Sequence, residues 1–86
     1  MKIVFTKHSL ERAEERAISK KELKDAIYYP DKIDRSSQNN KRFLIKKIYY
    51  NEKLKTDHLL MIVCEKEKRV IRIITIIDTS KISKYY

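Results

Sequence analysis

Glycine is missing altogether, and the chain carries one proline, one cysteine and no tryptophan. Phosphate loops of the Walker and dinucleotide types need backbone conformations that only glycine adopts so close to a phosphate. Nucleotide-cofactor chemistry is therefore disfavoured. Turns fall to Asn, Asp and Ser, which cluster in RSSQNN, Arg35 to Asn40. A lone cysteine, Cys64 within LLMIVCE, makes no internal disulfide, and no residues are spaced as zinc ligands. Neither a metal nor a cofactor is expected. No apolar run approaches the roughly 18 residues of a membrane-spanning helix. MKIVFTKH also lacks the apolar centre and small-residue cleavage site of a signal peptide. A cytoplasmic protein with no membrane partner is the expectation.

What the chain does have is charge. Its 86 residues suffice for one small domain, residues 1–86, with 42% apolar residues for a single core and 38% charged residues around it. The formal net charge of +9 is unevenly placed. Residues 1–40 hold nine basic against seven acidic side chains, and residues 41–86 hold twelve against five. Such a balance suits a polyanion, with nucleic acid favoured over a membrane surface. A lysine-rich solubilising surface is the structural alternative.

KIVFT, Lys2 to Thr6, reads as a short strand, and a helix is expected from Lys7 to Ala17. On its wheel Leu10, Ala13 and Ala17 share the core side, with His8, Arg12 and Glu15 nearly opposite. Ser19 and Glu22 form an S-x-x-E capping box for a second helix, whose buried side is Leu23, Ala26 and Ile27 and which Pro30 ends. Three long strands follow, Lys41 to Tyr50, Thr56 to Glu65 and Arg69 to Asp78, joined by short polar connections that favour antiparallel hairpins. A weaker strand is expected near DKIDR, and one helical turn capped by Thr79 or Ser80 at the end. The order is β-α-α-(β)-β-β-β, an α+β domain with two N-terminal helices on one face of a twisted antiparallel sheet.

The second face of that sheet is also readable. Strict alternation in the last strand puts Val70, Arg72, Ile74 and Ile76 on one side and Ile71, Ile73, Thr75 and Ile77 on the other. The pair Lys46–Lys47 must place one ammonium on each face. A sheet face bearing Arg42 and one of these lysines among aromatics suits RNA. Arg72 stands between isoleucines, so its guanidinium needs a carboxylate such as Glu65 or Asp57, a ligand phosphate, or an edge from which to reach water. Lys84, Tyr85 and Tyr86 could stack on bases, although a frayed tail is the simpler account. His58 opens its strand, which argues for a surface role. Cys64 is expected to be a core residue.

KHSLERAEERAI is the stretch that most resists a purely structural account. His8, Arg12 and Arg16 recur every four residues, which puts neighbours within reach of one another along a helix. Histidine exchanges protons near neutrality, and arginine grips phosphate with a bidentate fork. The structural alternative is an exposed helix laced by its own glutamates.

The opening FTKHSLERAEERAIS, the closing VIRIITIIDTSKISKYY and the order of elements resemble the family called domain of unknown function 4258. The end of the chain also resembles BrnT-type ribonuclease toxins, whose last strand reads R-I-I-S-A-R, and both are grouped with the RelE-like toxins. The resemblance implies a RelE-like fold and a toxin-type protein that binds RNA, ribosome-associated RNA included, and is a candidate metal-independent endoribonuclease. It implies catalytic roles for His8, Arg12, Arg72 and Thr75, with Arg16, Lys84, Tyr85 and Tyr86 as RNA contacts, to which the open sheet face adds Arg42, Lys46 and Lys47. It also implies an acidic or DNA-binding antitoxin as partner. Ile77 stands where the toxin motif has its second arginine. The alternatives are a non-catalytic RNA-binding module of the same fold and a protein-interaction domain with a basic docking surface.

Overall fold

A computed structural model describes every residue except Met1, Ser37 and Asn39. Its elements run β1 Lys2–Phe5, α1 Lys7–Glu15, α2 Lys20–Tyr28, β2 Lys32–Arg35, β3 Arg42–Asn51, β4 Thr56–Glu67, β5 Val70–Thr79 and α3 Ile82–Tyr85. The α2 start forms as its sequence dictates. Ser19 Oγ accepts from the Glu22 amide while the Glu22 carboxylate accepts from the Ser19 amide. The DKIDR strand is β2. The expected Arg35–Asn40 turn lies outside the described residues at Ser37 and Asn39.

The strands form one sheet in the order β1-β5-β4-β3-β2. The expectation of an antiparallel sheet holds for four strands and fails for the first, because β1 pairs with β5 in parallel, making the sheet mixed. The two helices between β1 and β2 carry the chain across the sheet, so β1 can lie beside the last strand in its direction. Helix α1 packs on β5 and α2 on β3. The core fills the space between helices and sheet, with Ala13, Leu23 and Ala26 meeting Ile45, Ile62, Cys64, Ile73 and Ile76.

A second departure lies within β5. The β4–β5 register slips between Val63 and Cys64, so Cys64 faces Ile73 and Val63 faces Thr75. The extra residue, Ile74, makes a β-bulge, and the alternation changes phase there. Ile71, Ile73 and Ile76 therefore share the helix face, whereas Arg72, Thr75 and Ile77 share the opposite one.

The absence of glycine has a structural counterpart. Ala17, Lys55 and Lys68 take left-handed backbone conformations with φ of 56°, 53° and 55°. Such a conformation costs a side-chain-bearing residue roughly 1–2 kcal/mol, so these turns are held by the elements they join. Ala17 leaves α1 in this conformation and is exposed rather than core-facing. Fully buried Ser9 sits on the core side instead, its hydroxyl donating to Thr6 O at 2.8 Å.

The tail after β5 turns back across the face without long helices. The Thr79 hydroxyl accepts from the Lys81 amide, and the last residue reaches β2 and β3, where Tyr86 O accepts from Lys32 and Lys46. To get there it crosses β4 on the side of Leu59 and Met61, which are 0% and 5% exposed.

Candidate nucleic-acid interface

Thr6 ties the candidate site together. It caps α1 by accepting the Ser9 amide at 3.2 Å, and its hydroxyl lies 2.8 Å from Ile73 O and 3.2 Å from Ile74 O, donating to these carbonyls. The start of α1 is thereby bonded to the bulge of β5, where β1 has ended and the strand edge would otherwise be open. His8 then lies beside that edge, its Nε2 3.1 Å from Thr75 Oγ1. One tautomer has the hydroxyl donating to Nε2, the other the reverse. The exposed stripe of α1 therefore meets a sheet edge 67 residues away in sequence.

Arg72 is exposed on the same face as Thr75, opposite Glu65 in register. The sequence offered it Glu65 as a salt-bridge partner, but the Glu65 carboxylate lies 3.3 Å from Arg42 instead. Ile77, 40% exposed, continues the Arg72–Thr75 side of β5, so an apolar group stands where the toxin motif has an arginine. Arg12 is one turn beyond His8 and lies 3.6 Å from Glu15. Arg16 caps the far end of α1, about 12 Å along the helix from His8.

The remaining cations are dispersed. Lys46 is 7% exposed, its ammonium 2.8 Å from Asp34 and also donating to Tyr86 O, which engages its charge within the protein. The Lys46 hydrogen bond lowers the Asp34 pKa. Lys47, on the other face, lies 3.7 Å from Asp31. The Tyr85 and Tyr86 rings are stacked by lysines of this chain, Lys84 at 5.3 Å and Lys32 at 5.5 Å. Of the expected site, the fold brings His8 and Thr75 into contact and puts Arg72 on the same face as Thr75. Arg16, Lys46 and the tail lie apart.

One cluster went unnoticed in the sequence. His58 is buried, not at the surface, with Nδ1 3.1 Å from Asp78 Oδ2 and 3.2 Å from Oδ1. Tyr49 donates its hydroxyl to Asp78 Oδ1 at 2.7 Å and meets the His58 ring edge-on. Burial, together with that hydrogen bond, pushes the Tyr49 phenol up to about 12. Strand parity was the available signal, since His58 alternates with Leu60, Ile62 and Cys64. Cys64 is a core residue, as its apolar run implies, and burial pushes its thiol up from 9.0 to about 12, which keeps it unreactive near neutrality.

Among the described residues, no group of three or more His, Cys, Asp or Glu side chains could hold a metal ion, and no helix is long and apolar enough to cross a membrane. Neither the curated proteins nor the solved structures contain a match to this chain. The family model described as Domain of unknown function (DUF4258) matches residues 5–78. Most of the chain, from the Thr6 cap through the β5 bulge to Asp78, lies within that match, and the protein belongs to this family.

Proposed function

We propose that the protein is a toxin-type RNA-binding protein of RelE-like fold that cleaves single-stranded RNA without a metal. The observation that carries this reading is the His8–Thr75 contact of 3.1 Å at an exposed strand edge, with Arg72 on the same face as Thr75. An imidazole held at the surface by one hydroxyl is oriented yet open to a ligand. His8 takes the proton of a ribose 2′-OH, and the 2′-oxygen attacks the adjacent phosphorus. The bond to the 5′-oxygen breaks, leaving a 2′,3′-cyclic phosphate, and the departing 5′-oxygen takes a proton from water to become a 5′-hydroxyl. Arg72 and Arg12 supply positive charge to the crowded phosphorus, as guanidinium groups do for phosphoryl oxygens. Thr75 orients the ring. An acidic antitoxin covering the basic half of the chain would neutralise such a protein.

Expression in a bacterial host tests the reading. Growth should arrest with the intact chain and resume with His8→Ala, and purified protein should leave 2′,3′-cyclic phosphate ends. Intact RNA at high protein concentration removes the enzyme claim. Ile77 favours a second reading, a non-catalytic RNA-binding module of the same fold, because the motif's second phosphate-gripping side chain is replaced by an apolar one. That reading expects RNA affinity that falls steeply with salt and no cleavage products.

A further inference from the structure

Helices α1 and α2 leave one corner of their own sheet face uncovered. Ile27 of α2, Ile33 of β2, Phe43 of β3 and Ile71 of β5 line a cleft there of about 500 Å³. Ile33 is 53% exposed, an apolar side chain open to water on an edge strand. Arg35, Lys66 and Lys68 stand around the cleft, and among the described residues no Asp or Glu lines it. An apolar floor under a rim of cations and the neutral Asn40 fits a flat apolar group joined to anions. A nucleobase between phosphates is such a ligand.

The cleft is not isolated from the candidate site. Lys66 and Lys68 also line a neighbouring cavity of about 430 Å³ at the β4–β5 turn, and its wall includes Arg72. Positive charge thus runs from Arg72 on the outer face, around the turn, to the cleft on the helix face. The acids on this path are Glu65, already bonded to Arg42, and Glu67. A charged groove that tracks a backbone, with an aromatic platform beside it, is how proteins hold single strands.

We infer that the cleft is a base-binding subsite for single-stranded RNA. One base lies against Phe43 and Ile33, and the flanking phosphates follow Lys66 and Lys68 toward Arg72. The inference rests on the RNA reading above and extends it from one phosphate to a strand wrapping the end of the sheet.

A short, non-cleavable 2′-O-methyl oligonucleotide titrated into the full chain, observed through isoleucine methyl resonances, tests this independently of cleavage. The Ile33 and Ile71 methyls should shift. Phe43→Leu keeps an apolar filler and removes the ring, and should weaken binding about tenfold, the equivalent of about 1.4 kcal/mol of lost stacking. Ile33→Ser, at an exposed position that threatens the fold less, should weaken it in the same direction. Replacing Lys66 and Lys68 by Gln should flatten the dependence of log affinity on log salt by about 0.7 per lysine. Silent cleft methyls, or unchanged affinity and salt slope in all these variants, overturn the subsite even if His8-dependent cleavage is observed. Methyl shifts produced by anionic vesicles or an acidic peptide, and not by the oligonucleotide, also overturn it. Shifts with the oligonucleotide but no cleavage of natural RNA sustain the subsite and remove only the enzyme reading.

Discussion

His58 is 6% exposed and presents Nδ1 to both carboxylate oxygens of Asp78, whereas His8 lies at the surface with Nε2 on a threonine hydroxyl. The two rings differ in what surrounds them more than in how many bonds they make. Asp78 also accepts the Tyr49 hydroxyl, so one carboxylate binds two strands besides its own and closes an end of the core. Among the described residues nothing comparable encloses His8. Its contact joins a helix start to a strand edge and leaves the ring open to an incoming ligand. The chain has a histidine that helps hold the fold and another that the fold merely presents, and each has a separate test.

The largest expected effect is on the buried side. Asp78→Ala leaves the Tyr49 hydroxyl and His58 Nδ1 without their acceptor, and should cost about 3 kcal/mol or more of unfolding free energy. Urea denaturation measures this, and a loss below about 1 kcal/mol would mean the cluster is not structural. His8→Ala should behave in the opposite way. Stability should stay within about 0.5 kcal/mol of the parent, while any RNA cleavage falls at least about 100-fold, the lower end for losing a positioned acid or base. Equal losses in both variants would erase the distinction between the two histidines.

Alkaline pH should separate the same regions more gently. The Tyr49 phenol and the Cys64 thiol, both on the helix side of the sheet, are raised in the folded protein, from 10.0 and 9.0 respectively to about 12. Groups with raised values contribute stability that is full below their ordinary values and is lost as pH climbs toward the folded ones. The denaturation midpoint should therefore fall between about pH 9 and pH 12, and Cys64→Val should remove the earlier part of the decline. A flat profile would contradict the burial of these two groups. Thr75→Val deletes the same exposed hydrogen bond as His8→Ala and should likewise change stability by no more than about 0.5 kcal/mol. If Thr75 orients His8, cleavage should drop in this variant, though less than in His8→Ala, and Thr75→Ser should restore it.

Much of the fold was legible because its signals are local. The Ser19–Glu22 box, the Leu23–Ala26–Ile27 stripe and the β-rich runs after Asn40 each specify an element without help from elsewhere. The site was legible only in part. His8 stood out by its spacing from Arg12 and Arg16, yet strict alternation in VIRIITIID put Arg72 and Thr75 on opposite faces. The bulge at Ile74 reverses that assignment, and the TII run that contains it looks like ordinary strand. His58 departs from expectation for another reason: proximity to a strand end suggests exposure, while its parity with Leu60 and Ile62 points inward. Lys46 reads as available to RNA in the sequence because nothing there brings Asp34 and Tyr86 to its ammonium.

By itself the sequence determined one small α+β domain, its two N-terminal helices with the cap of the second, its hairpin strands and the concentration of positive charge after residue 40. These follow from periodicity, capping and composition, which act over a few residues at a time. Tertiary structure alone decided that β1 joins β5 in parallel, that the bulge turns Thr75 to the side of Arg72, and that Thr6 binds the start of α1 to that bulge. The first and the last of these depend on hydrogen bonds between segments more than 60 residues apart, and the bulge on the register between two neighbouring strands. A local pattern says which face a residue prefers; only the register between distant strands says what it will meet there.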